Sequence, residues 1–167
     1  MRMLSMLPRV TERTRERVAR EFDDLGPDVC MNSIMRGLQR HNPELLDMAS
    51  KWANDVGAAD RTITAFGMFY RLLSAETLSP LEPRAISSLP RVSAETRGLI
   101  VQRIDQIGSE SFTHDAIDSI EATNPELLQM AHGFASACSD YARVMQGFAL
   151  LYETLRLQAE SDKVKLH

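Results

Sequence analysis

Cys30, Cys138, His41, His114, His132 and His167 are the residues whose types could carry nucleophilic, redox or metal chemistry. A reactive thiol needs an accessible, electropositive setting that favours the thiolate. Nothing in the pattern around Cys30 or Cys138 supplies one, and the two stand far apart without metal-ligand spacing. His114 and Asp118 are four residues apart, which on a helix presents two ligands from one face. Helical projection turns that face away from Phe112, Ala116 and Ile120, so a solvated polar surface is expected there. The chain has neither the Glu-x-x-His pairs of carboxylate-bridged bundles nor a His-Glu-x-x-His zinc signature. A phosphate loop, a nucleophile elbow and a dinucleotide fingerprint are also missing from it. No catalytic residue, metal ligand or cofactor is therefore assigned, and the sequence leans away from an enzyme.

Charge narrows the partners. Lys and Arg number 19 against 23 for Asp and Glu, a net charge of −4. Nucleic-acid affinity comes mostly from neutralising phosphates, so this balance argues against a nucleic-acid binder. The first predicted helix is densely charged, but Arg13, Arg15, Arg17 and Arg20 alternate with Glu12, Glu16, Glu21, Asp23 and Asp24. Such interleaving describes a solvated face rather than a basic patch. No run approaches the roughly 20 apolar residues of a membrane span. The apolar stretch before Pro8 falls short of the roughly 7–15 residues of a signal-peptide core. With only two cysteines, a reducing cytoplasm is the expected location.

The elements that must position these residues emerge when the chain is slid against itself by 82 positions. Leu7-Pro8-Arg9-Val10 falls on Leu89-Pro90-Arg91-Val92, and Asn42-Pro43-Glu44-Leu45-Leu46 falls on Asn124-Pro125-Glu126-Leu127-Leu128. Residues 7–76 and 89–158 share 20 identities over 70 ungapped positions. The expected organisation is a tandem duplication: a first repeat over 7–76, a linker over 77–88 and a second repeat over 89–158. Pro80 and Pro83 keep the linker from continuing a helix. The sequence is 44% hydrophobic with only 8 Gly and 7 Pro, a composition that favours long helices with a real core.

Each repeat reads as four helices. The first spans about 11–25 and 93–107, capped by Thr11 or Ser93 and stopped by Gly26 or Gly108. The second covers about 28–41 and 110–123, with Cys30, Ile34 and Leu38 matching Phe112, Ala116 and Ile120. The third begins at Pro43 or Pro125, with Asn42 or Asn124 as its cap. The fourth, about 59–76 and 141–158, is the most apolar and should lie centrally. Gly67 and Gly147 interrupt it, and a close neighbouring helix is the expected compensation for their low helix propensity. The predicted fold is all-α: two similar four-helix bundles packed with pseudo-twofold symmetry into one globule. On this alignment Cys30 opposes Phe112 and Cys138 opposes Val56, so both thiols are expected in the core.

Among retained polar residues, Arg15 and Arg97 flank the core stripe, and Glu44 and Glu126 sit where a helix start favours negative charge. Each Arg is expected to pair with an acid of its own repeat, the alternative being an interface between the repeats. The repeats have diverged in charge, −1 over 7–76 and −4 over 89–158. That divergence suits a non-enzymatic interaction or regulatory module with one surface specialised for another protein; assembly with further copies is left open. The alternative is a small-molecule sensor or carrier with an apolar pocket between helices, which Trp52, Met68, Tyr70, Met145 and Tyr152 could line. The bland reading of those five is core filling.

Overall fold

A computed structural model describes residues 12–41, 43–55, 59–77, 92–138 and 140–165. These residues form α1 (Glu12–Leu25), α2 (Pro27–His41), α3 (Pro43–Asp55), α4 (Ala59–Thr77), α5 (Ala94–Ile107), α6 (Ser109–Thr123), α7 (Pro125–Ala137) and α8 (Tyr141–Lys165), with no strand among them. The chain is an all-α helical bundle. None of the described helices is long and apolar enough to cross a membrane.

Local signals place most boundaries. Ser93 caps α5, its hydroxyl accepting from the Thr96 N–H at 3.1 Å. Gly26 and Gly108 end α1 and α5 at φ +88° and +87°, a region that L side chains rarely adopt. Pro125 occupies the first turn of α7, where its missing N–H leaves no bond unmade. Asn124 departs from expectation: its side chain makes no capping bond. It joins two helices without a spacer, its N–H donating to Ile120 O and its carbonyl accepting from Leu127 and Leu128. That backbone role defines the joint. The expected caps Thr11 and Asn42, and the joint beyond Thr77, lie outside the described residues.

α8 runs to Lys165, seven residues past the end at 158 predicted from its counterpart. Two i,i+4 contacts support the extra turns: Arg156 to Glu160 at 3.2 Å and Gln158 to Asp162 at 2.9 Å. Gln158 also accepts the Ser93 N–H at 2.7 Å, tying the start of α5 to this extension.

α4 and α8 form the centre, as their apolar composition predicts. α4 touches α1, α2, α3, α7 and α8, while α8 touches α3, α4, α5, α6 and α7. Their crossing is built on glycine and aromatic rings. A Cβ on Gly147 would stand 3.0 Å from Thr62 Cγ2 and 3.1 Å from Phe66 Cε2, so α4 lies directly on the α8 backbone. Phe69 meets Phe148 edge to face at a centroid distance of 4.5 Å, and Phe134 also meets Phe148 edge to face, at 6.2 Å. Phe69 and Phe148 are each 1% exposed. Burying one such ring contributes about 1.5–3 kcal/mol. Gly67 serves a different contact, with its open side against the Met31 and Met35 side chains of α2.

Candidate functional site

The thiols behave as core residues. Cys30 is 2% exposed, and its Sγ donates to the Glu21 carbonyl at 3.4 Å. Burial, reinforced by the Glu21 carboxylate, pushes its pKa up, against a smaller opposing pull from Arg71. Burial also raises Cys138, which packs half-buried against the core. Both shifts oppose thiolate formation and hence nucleophilic chemistry. His114 and Asp118 are exposed, as projected. No cluster of three metal-ligating side chains occurs among the described residues. His132 stacks on Tyr141 with the rings 9° from parallel, and its Nδ1 hydrogen-bonds the Tyr141 hydroxyl.

The five proposed pocket residues all belong to one core cluster. Tyr70, Met145 and Tyr152 are buried in the core, and Met68 packs against it. Tyr152 is fully buried, its hydroxyl 3.1 Å from Thr123 Oγ1. Of the five, Trp52 lines a cavity described among these residues.

That cavity is a groove of about 770 Å³ between α3 and α5. Helical spacing constructs it. On α3, Met48 and Trp52 form the inner wall, and Asp47, Lys51 and Asp55 follow at i, i+4 and i+8 along the rim. On α5, Ile100 is buried, Arg97 and Ile104 are half-buried, and the exposed Ala94, Gly98, Val101 and Asp105 complete the lining. Leu150 of α8 contributes to the floor. Thr154 of α8 holds the α3 side by donating to Met48 Sδ at 3.6 Å, while Ser93 and Gln158 hold the α5 side.

The polar groups of the groove are unusually unmatched. Asp47, Lys51, Asp55 and Asp105 are exposed, whereas Arg97 is half-buried. None of these five makes a salt bridge within 4.0 Å among the described residues. The expected pairing of Arg97 with an acid of its own half therefore does not form among them; the Arg15 side chain lies outside the described set. Arg97 Nε and Trp52 Nε1 are both buried donors without an acceptor. An unsatisfied buried donor costs about 1–3 kcal/mol. Glu44 and Glu126 occupy the first turns of α3 and α7, as placed from sequence.

Sequence reasoning singled out Arg97 and Trp52 separately but not the groove that joins them. The small residues Ala94 and Gly98 and the exposed Val101 carry no signal until α5 is set beside α3. Two inter-helix ion pairs also escaped it. Arg71 of α4 binds Glu21 of α1 through two bonds of 2.7 and 3.2 Å. Glu153 of α8 accepts from Arg156 at 2.8 and 3.1 Å and lies 4.0 Å from Arg103 of α5. The available signal was a charge in the middle of each apolar helix.

No family model matches the chain, and no curated protein or solved structure matches it.

Proposed function

We propose that this chain is a non-enzymatic helical interaction or regulatory module that acts in the cytoplasm and binds another protein. Its architecture, on this proposal, is a tandem duplication of a four-helix unit about a pseudo-twofold axis. Three helix pairs have equal lengths of 14, 15 and 13 residues, and all four pairs begin 82 positions apart. Gly26 and Gly108, also 82 apart, share a positive φ, +88° and +87°. These features support the duplication.

One observation carries the binding reading. Seven large apolar side chains are exposed among the described residues, and three of them, Leu99, Val101 and Ile107, belong to α5. Scattered exposed apolar residues are ordinary, but Leu99 and Ile107 fall within about 80° of each other around α5, on a side that Val101, which lines the groove, does not share, and this pair is the apolar surface that supports the reading. At the corresponding positions α1 carries Arg17, Ala19 and Leu25, so the two helices offer different surfaces. A photo-crosslinking amino acid in place of Leu99, used in the source cell, is expected to trap one reproducible protein. Ile107→Glu should weaken that adduct. An adduct of twice the chain mass identifies a second copy as the partner, and no adduct from positions 99, 101 or 107 overturns the reading.

The groove favours a second reading, a small-molecule sensor or carrier. Its volume of about 770 Å³ falls within the range of roughly 300–1,000 Å³ typical of ligand sites. A ligand held there would raise the melting temperature by mass action. A thermal-shift screen with no stabilising compound counts against it.

A further inference from the structure

We infer that the α3/α5 groove binds a small amphipathic carboxylate, with Arg97 as the partner of its anionic head. This inference rests on the sensor or carrier reading and names the ligand class. The inner wall and floor are apolar, formed by Met48, Ile100, Ile104 and Leu150. They suit a flexible hydrocarbon body. Of the charged residues lining the groove, only Arg97 is set partly inside it, and it has no ion-pair partner among the described residues. A guanidinium offers a rigid fork of donors that matches a carboxylate in two-point geometry.

The unmatched groups of the groove interior share one polarity. Arg97 Nε and Trp52 Nε1 are both donors lacking an acceptor, so the groove lacks oxygen rather than hydrogen. A ligand carboxylate supplies oxygen and negative charge together. A purely apolar ligand leaves the cation uncompensated. A cationic ligand meets Arg97 with the wrong sign. A phosphate dianion fits less well, because one half-buried Arg faces it while three carboxylates, Asp47, Asp55 and Asp105, outnumber the single exposed Lys51 on the edge. The acidic edge instead favours an occupant with a single charge, kept near Arg97, and an uncharged tail.

Trp52 is the single tryptophan of the chain, so its fluorescence reads the groove directly. The full chain is titrated with 10-bromodecanoate, whose bromine quenches indole emission, and in parallel with 10-bromodecanol, both below their aggregation limits. Saturable quenching by the carboxylate, reversed by unlabelled decanoate and at least tenfold weaker for the alcohol, is the expected result. Arg97→Met should weaken carboxylate binding at least tenfold, with partial recovery in Arg97→Lys. Gly98→Leu gives a blocking variant, because Gly98 lines the groove at an exposed helical position and a Cβ there meets nothing within 4 Å, which leaves the helix packing undisturbed. It should abolish quenching without lowering the melting temperature, and it keeps the test decisive if Arg97→Met fails to fold. Equal binding of alcohol and carboxylate, both lost in Gly98→Leu, overturns the carboxylate assignment and leaves the groove as a ligand site. Absence of quenching by either probe also overturns it. The sensor or carrier reading falls as well if, in addition, the thermal-shift screen finds no compound sensitive to Gly98→Leu.

Discussion

Two ion pairs link a peripheral helix to a central one, and they are mirror images in charge. Glu21 of α1 meets Arg71 of α4; 82 residues later in both partners, Arg103 of α5 approaches Glu153 of α8. The settings differ as much as the signs. Glu21 and Arg71 are 31% and 26% exposed and form a two-bond contact that suffices by itself. Glu153 is 4% exposed, and Arg103 lies at 4.0 Å, with its guanidinium 5.7 Å from the centroid of the Phe112 ring. The deeper carboxylate takes its short bonds from Arg156, one turn along the same helix. The comparison teaches that the location calls for opposite charges across the helix pair but does not dictate which helix carries which. Depth dictates the rest, because a carboxylate taken further from water needs more compensation.

The largest effect expected from breaking this comparison comes from the deeper site. Glu153→Ala removes the short bonds of the mostly buried Arg156, which keeps only Glu160, while Arg103 keeps Asp115; it should cost about 2 kcal/mol, against about 1 kcal/mol for Arg71→Ala. Urea unfolding of the two variants measures the difference, and equal losses would show that burial is not what separates the pairs. The central glycines give the next contrast. Gly147→Ala pushes a methyl into Thr62 and Phe66 and should cost about 2 kcal/mol. Gly67→Ala meets mainly the flexible ends of Met31 and Met35. The gain in helix propensity, about 1 kcal/mol, should offset that crowding and leave stability nearly unchanged in thermal melts.

Tyr152 sharpens the contrast between the halves through pH. Burial raises its pKa above the ordinary value of about 10, with the Thr123 hydrogen bond acting in the opposite direction. Below that value the phenol is neutral in both folded and unfolded chains. As pH rises further the unfolded chain ionises first, so the stability contributed by the neutral buried phenol is lost toward the raised folded value. Tyr152→Phe should cost about 1 kcal/mol at neutral pH for the lost bond and flatten the alkaline decline. Denaturant melts from neutral pH to above 10 test both parts. The smallest effect belongs to the outer pairs themselves. Double-mutant cycles should give a coupling of about 1 kcal/mol for Glu21–Arg71 and about 0.3 kcal/mol for Arg103–Glu153. A larger coupling in the second pair would mean that Arg103, rather than Arg156, neutralises Glu153.

Much of the architecture was legible because it rests on local rules. Gly26 and Gly108 announced helix ends because the chain turns there through a conformation suited to glycine. Ser93 and Pro125 announced helix starts, and the apolar periodicity of α4 and α8 announced their central place. Asn124 shows the limit of such reasoning. Its type predicts a side-chain cap, yet a joint without spacer residues gives its backbone the structural role. The extension of α8 was missed because Gln158 becomes useful only once the Ser93 N–H is beside it. The candidate site was less legible still. Trp52 and Arg97 are 45 positions apart on different helices, and neither residue predicts the other.

Hydrophobic periodicity and capping chemistry act over a few residues, so the amino-acid sequence by itself determined the helices, their apolar faces and the absence of a recognisable catalytic motif. The tertiary structure alone decided which faces meet, which charges lie deep enough to require partners, and that α3 and α5 stand apart over an apolar floor. The reason is physical. Helix formation follows local backbone geometry, whereas burial, charge compensation and the shape of a groove depend on residues distant in the chain becoming neighbours.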